Sequence, residues 1–253
     1  MQGGDGDVSF DKNSFGAAAA IASSEQMLTS AIHSMELTQG VHIQIANLGI
    51  GDGGHTFSMV DTVVEVLRRK LAVINGGTEP EFEVYFSDLR LSNRFFSSFS
   101  GLESQVSDDS RLKLIFTTLM DQAWQDLVDE GSIEEDRRDA FNIPLYLRNT
   151  EEVTAAIESC GGFKIEKMEL LKIADPMNAR QQEFIKDPDS YGRAMANLVQ
   201  AAQIKRKVEA YLGPDLTNTF YERYAVRAAN NKEFLTKNSF YSMIAVSAIR
   251  VWY

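Results

Sequence analysis

Glycines 49, 51 and 54 stand in a G-x-G-x-x-G spacing, directly after an alternating apolar run and before a helical one. Such glycines let the backbone turn sharply and approach a ligand closely, with a helix N-terminus aimed at the same point. A glycine-rich turn in a βα connection, holding nothing, fits the same residues. Asp88 is the second group with evident chemistry. It ends the next strand pattern, where a carboxylate can accept two hydrogen bonds from a ribose diol. It lies well beyond the roughly 20-residue interval of a dinucleotide site, which disfavours a nucleotide-dependent oxidoreductase. The adenosine of S-adenosylmethionine (SAM) carries the same diol without a pyrophosphate, and depends more on that acid than on the helix dipole. No Cys/His cluster suggests zinc, and Cys160 has no evident partner for nucleophilic work.

These groups need elements to position them. Val41-His42-Ile43-Gln44-Ile45-Ala46 alternates and is β-branched at three positions, which predicts a strand running into the glycine loop. Met59, Val60, Val63, Val64 and Leu67 form an apolar stripe, predicting a helix from Phe57 to Leu71 that Asn75-Gly76-Gly77 stops. Glu81 to Phe86 reads as a second strand. Strand, glycine loop, helix and strand in this order open a doubly wound α/β fold. Upstream, an alanine-rich helix is expected from Ala17 to about Glu36. Downstream, a helix is expected from Arg111 to about Glu130, capped by Gly131, and then a turn at Phe141-Asn142-Ile143-Pro144. Thr150 is the expected N-cap of a helix that closes at Gly161-Gly162. A strand over Phe163–Leu170 follows, then a charged helical stretch from Asp189 to Lys232 broken at Gly213-Pro214, and a last strand over Ser242–Ile249.

The 253 residues are 44% hydrophobic and 24% charged, enough for one large domain, or one with an appendage, whose core needs no metal or disulfide staple. The longest apolar runs fall short of the roughly 18 residues a membrane span needs, so no membrane partner is expected. Met1 to Asp7 is acidic and glycine-rich, unlike a signal peptide, and the single Cys160 fits a reducing compartment; both point to the cytoplasm. The balance of 36 acidic against 25 basic residues gives −11, which argues against nucleic acid.

Several segments in order resemble the plant SABATH methyltransferases, which use SAM to methylate carboxyl groups of small acids or ring nitrogens of xanthines. The leader Met1-Gln2-Gly3-Gly4-Asp5-Gly6 with Ser9-Phe10-Asp11-Lys12-Asn13-Ser14 is similar to their M-x-G-G-x-G-x-x-S-Y-x-x-N-S opening. Ala46-Asn47-Leu48-Gly49 with Gly53-Gly54-His55-Thr56-Phe57 resembles their cofactor loop, and Phe86-Ser87-Asp88-Leu89 the acid-bearing end of strand two. Asp139-Ala140-Phe141-Asn142-Ile143-Pro144 with Tyr146, then Glu151-Glu152-Val153, then Gly162-Phe163 with Ile165, resembles D-x-F-N-I-P-x-Y … E-E-V … G-S-F-x-I. Phe220 with Arg223-Tyr224 resembles the F-x-R-Y of their cap. Ala123-Trp124-Gln125-Asp126-Leu127-Val128 looks like the indole-acetate branch.

The resemblance implies a Rossmann-like SAM-methyltransferase sheet with a helical cap, and a homodimer. It implies the cofactor against Phe10, Ile50, His55, Asp88 and Leu89. His55 equally suits a water-exposed helix start. It leaves Phe116, Thr117, Phe240 and Tyr241 as candidates against the substrate, with plain core packing as their other reading. Asp139, Phe141 and Asn142 fall where the family is assigned Mg²⁺, whose oxygen-only ligation suits them. A turn held by Asp and Asn fits the same residues. No residue is implied as an acid or base, because a carboxylate at neutral pH is already a nucleophile and needs alignment only.

The chain also departs from the family. Phe10 stands for Tyr, Ile50 for Cys and His55 for Asn. Asn47 stands for Asp, which costs about 1–3 kcal/mol of cofactor binding if a buried donor is left unpaired. Ala17 aligns with the Gln that donates to the substrate carboxylate. The H-S-S-Y-S-L-H-W and V-P-G-S-F-Y segments do not occur. Roughly a hundred family residues separate the equivalents of Phe99 and Ser110, where this chain has ten. The expectation is therefore an incomplete sheet: a core over 1–173 with a deletion near 100–110, a helical cap over 174–237, and a last core strand over 238–253. Two functions stay open: methyl transfer to the carboxyl of a small plant acid (indole-acetate-, salicylate- or benzoate-like), or a non-catalytic remnant that binds SAM weakly or pairs with an intact paralogue.

Overall fold

The computed structural model describes residues 6–7, 9–13, 15–40, 42–48, 55–87, 114–142, 148–201 and 205–251. Helices α1 (Phe10–Asn13) and α2 (Phe15–Ser34) precede strand β1 (His42–Leu48), helix α3 (His55–Ile74) and strand β2 (Glu81–Ser87). A π-helical turn (Leu114–Leu119) runs into α4 (Met120–Asp129), followed by α5 (Glu135–Asp139), α6 (Thr150–Cys160) and β3 (Phe163–Ala174). A 3-10 turn (Pro176–Arg180) leads to α7 (Gln181–Lys186), α8 (Pro188–Val199), α9 (Lys205–Leu212), α10 (Pro214–Ala229), α11 (Lys232–Thr236) and β4 (Phe240–Arg250). No helix among the described residues is long and apolar enough to cross a membrane. The chain divides into two compact units, one of Met1–Ala19, Ser98–Leu147 and Lys172–Ser242, the other of Ala20–Ser97, Arg148–Leu171 and Met243–Tyr253.

In the second unit β1 and β2 pair in parallel, from His42 opposite Glu81 to Leu48 opposite Ser87. The alternation leaves Ile43, Ile45, Phe82 and Val84 half-buried, while His42, Gln44 and Tyr85 are exposed. A sheet covered on both faces carries near-continuous apolar runs. Here one face is polar by sequence. Glu83 accepts from Gln44 Nε2 at 3.0 Å and lies 3.2 Å from His42 Nε2. Bonds from Tyr85 first, then Gln44 and His42, hold the Glu83 carboxyl below the usual range. A lowered carboxylate contributes stability above its unfolded pKa and loses it as pH falls through the folded one. Tyr85→Phe is expected to raise the Glu83 pKa towards the ordinary value, read by NMR titration; an unmoved pKa would show that the phenol is not its main partner.

Helix α3 buries Val60, Leu67 and Leu71 and ends where Gly76 (φ 62°) and Gly77 (φ 93°) enter the left-handed region. Asn75 locks that stop by donating to the Gly40 carbonyl at 2.7 Å and accepting from its N–H at 3.2 Å. Lys70 donates to the carbonyls of Ile32 at 2.9 Å, His33 at 2.7 Å, and Met35, satisfying the end of α2.

The first unit is helical. Its core joins Trp124 and Leu127 of α4, Tyr191 and Met195 of α8, and Phe220 and Tyr224 of α10. The Phe220/Arg223/Tyr224 motif is structural here: both rings are buried, and Arg223 Nε donates to Glu130 Oε1 at 2.6 Å. Arg227 forks onto Asp126 of α4. Tyr221, 5% exposed, has a buried hydroxyl with no partner among the described residues. Burial first, then the Glu209 charge, keeps that phenol neutral far above its usual range. Removing an unpaired buried polar group is favourable, so Tyr221→Phe is expected to stabilise by about 1 kcal/mol in urea unfolding. A loss of that size would mean the hydroxyl has a partner.

Strands β3 and β4 form the other pair. Asp175 N–H donates to the Ser239 carbonyl at one end, and Val251 N–H to the Gly162 carbonyl at the other, which makes the pairing antiparallel. At the first end Asp175, 1% exposed, accepts from Met177 N–H at 2.8 Å and from Ser239 Oγ at 3.1 Å. Asn178 donates to the Ser239 carbonyl at 2.8 Å and accepts from its N–H at 3.0 Å.

Two local expectations change. The N-cap of α6 is Asn149, not Thr150: its side chain accepts from Glu152 N–H at 2.8 Å while Glu152 accepts from Asn149 N–H at 3.0 Å, a reciprocal capping box. The helix expected from Arg111 enters the described residues as a π turn and becomes α-helical only at Met120.

Candidate functional site

Leu48 and Ser87 close β1 and β2 as register partners, so the chain leaves both strands at the same sheet edge. The carboxyl edge of a parallel sheet is where α/β folds bind ligands. Ile50, Asp88, Leu89 and the glycine loop lie outside the described residues, as do the side chains of Phe10, in α1, and of His55, which opens α3. The described residue with chemistry at this edge is Asn47, one residue before the end of β1. Its Nδ2 is buried with no hydrogen-bond partner among the described residues. A buried unpaired donor is costly to leave unmade and fits a ligand acceptor. The sequence flagged Asn47 only as a departure from Asp; the orphaned donor needs the fold to be seen.

The first unit carries an open cleft of about 680 Å³, lined by Thr117, Thr118, Met120, Asp121, Gln122, Trp124, Arg138, Asp139, Phe141 and Asn142. The fold therefore gathers Thr117 with Asp139, Phe141 and Asn142. Phe116 belongs to the same π turn, and its side chain lies outside the described residues. Tyr241 is not among the cleft residues. It sits on β4, half-buried, and a Cβ added at Gly16 of α2 would lie 3.0 Å from its ring. Ala17, next along α2, is exposed. In the cleft, Trp124 and Phe141 stack with centroids 4.6 Å apart, and Phe220 backs Trp124 at 4.9 Å. Arg138 Nε and Nη2 donate to Asp139 Oδ1 at 2.9 and 2.7 Å. Asn142 is exposed. Among the described residues no group of three or more His, Cys, Asp or Glu is placed to hold a metal ion.

A parallel strand pair followed in sequence by glycines and a helix is the opening of an α/β fold that binds ligands at this edge. A solved loganic acid methyltransferase with SAH has this fold: the two match with a TM-score of 0.75 at 16% identity, over 99% of this chain and 98% of that one. The family model for SAM dependent carboxyl methyltransferases matches residues 1–110 and 93–251. The chain belongs to that family, the SABATH methyltransferases, and the family's cofactor is SAM. Gibberellic acid methyltransferase 1 of Arabidopsis thaliana is 43% identical over 367 aligned positions, covering 99% of this chain and 97% of the relative. Indole-3-acetate O-methyltransferase 1 of Oryza sativa subsp. japonica is 32% identical over 151 positions, covering 59% of this chain and 36% of the relative. An alignment 367 positions long exceeds the 253 residues of this chain by 114, so at least that many positions face a gap here.

Proposed function

We propose that the chain transfers the methyl group of SAM to the carboxylate of a small plant acid, and that the acid is of the gibberellic-acid type. The observation that carries this reading is the 43% identity to a gibberellic acid methyltransferase along 99% of the chain. The match to an indole-3-acetate enzyme covers 59% of it. When bound, SAM supplies an electrophilic methyl group on a positively charged sulfur. The acid is ionised at neutral pH, so no side chain has to remove a proton. What remains for the protein is to hold two reactants in line and keep water out. Asn47 would hold the cofactor through its unpaired Nδ2, and the resemblance adds Asp88 at the ribose, with Phe10, Ile50, His55 and Leu89 around it. Thr117, Phe116 and Tyr241 are the acid's candidate contacts.

The gap of at least 114 positions supports a second reading, in which SAM is bound without transfer, alone or in a dimer with an intact paralogue. We place the gap between Phe99 and Ser110, inside the stretch where the two family matches overlap. Segments 1–173, 174–237 and 238–253 then correspond to core, cap and last core strand. Calorimetric titration with SAM, followed by transfer assays on gibberellic, indole-3-acetic and salicylic acids, separates the readings. Saturable heat with methyl ester formed from gibberellic acid supports the first. Saturable heat with no ester from any acid supports the second, and no saturable heat sinks both.

A further inference from the structure

The SABATH resemblance implies Mg²⁺ at Asp139, Phe141 and Asn142, and the side chains there do not fit it. Mg²⁺ takes near-octahedral oxygen ligation, with at least one carboxylate that no other cation occupies to offset its charge. Asp139 is the one carboxylate of the three, and its Oδ1 already accepts from Nε and Nη2 of Arg138, at 2.9 and 2.7 Å. The guanidinium is anchored from a second element: Nη1 donates to Gln125 Oε1 on α4, and Gln125 Nε2 donates to Asp129 Oδ1 at 2.8 Å. Glu135 Oε1 lies 3.6 Å from Nη2. The Arg138 side chain is 21% exposed, against 62% for Asp139 and 69% for Glu135. Packing therefore fixes the cation, and the carboxylates come to it. A divalent ion on Asp139 would sit against a positive charge that Gln125 and the surrounding packing hold in place.

The geometry points to Arg138 as a built-in cation in the metal's place. It is a positioning residue that ties α5 to α4, and holds the Asp139–Asn142 segment so that Phe141 stacks on Trp124 without a metal ion. Trp124 reports on this directly, and Trp252→Phe removes the chain's other tryptophan. In the Trp252→Phe chain, MgCl₂ and EDTA are expected to give the same Trp124 emission and the same Tm. Adding Arg138→Gln is expected to shift the emission to the red and lower Tm in EDTA, and Arg138→Lys, which keeps the charge, to recover part of both. A saturable, EDTA-reversible Mg²⁺ response in the Trp252→Phe chain overturns the proposal. So does an Arg138→Gln chain with unchanged emission and Tm. Should Arg138→Gln not fold, Asp139→Asn serves instead: a smaller red shift is expected, and an unmoved emission overturns the proposal.

Discussion

Replacing Gly192 by alanine is expected to cost about 3 kcal/mol or more, the upper end for forcing an extra methyl into a packed core. The midpoint of thermal unfolding should fall by about 6–12 °C. A Cβ at Gly192 of α8 would lie 2.3 Å from the Ala225 carbonyl oxygen and 3.1 Å from the Ala229 Cβ, both on α10. The first of these is helix backbone and cannot rotate aside, so the helices must part. Parting them opens a core in which Tyr191, Met195 and Tyr224 are 2%, 0% and 0% exposed. Gly76→Ala is the control. It meets nothing within 4 Å and feels only its φ of 62°, a cost of about 1–2 kcal/mol. Urea and thermal unfolding of both variants decide the point: a Gly192→Ala chain no less stable than Gly76→Ala would refute the close helix approach.

Asn47→Ala is expected to weaken SAM binding by about 1–3 kcal/mol, or roughly five- to 150-fold in Kd, while leaving the thermal midpoint unchanged or higher. The two effects have one cause. In the free protein the Asn47 Nδ2 is buried with no partner among the described residues, so its removal breaks no hydrogen bond with them. With SAM bound, the same removal takes away a hydrogen bond that the amide would donate to the ligand. Asn47→Asp, which puts the family's residue back, turns a donor into an acceptor. It should change affinity without the truncation's loss of a polar group. Calorimetry on the three chains is the measurement, and an Asn47→Ala chain that binds SAM as tightly as its parent would remove Asn47 from the site.

The fold was legible where local chemistry decides it. The alternation of His42-Ile43-Gln44-Ile45, the stop at Gly76-Gly77, and the close at Gly161-Gly162 all have local causes, and each element forms within a few residues of its expected place. Thr150 misled because two capping residues stand side by side, and only Asn149 is three positions before Glu152. The site was legible to the extent that a motif is contiguous. The glycine spacing and the Asp139-to-Asn142 run could be read directly. What could not be read depends on groups far apart in sequence. Arg138 reaches Gln125 across 13 positions, and Gly192 meets Ala225 only because α8 and α10 pack. The orphaned donor of Asn47 is likewise a property of burial rather than of residue type.

The hydrogen-bonded clasp of Asp175, Asn178 and Ser239 joins residues 64 positions apart. Everything from Pro176 to Asn238 therefore leaves and re-enters the strand pair at a single narrow neck. A stretch with abutting ends can lengthen or shorten at its loops while β3 and β4 keep their register. Its helices can therefore vary without disturbing the strands that carry them, so long as the faces of α8 and α10 that pack on α4 are kept.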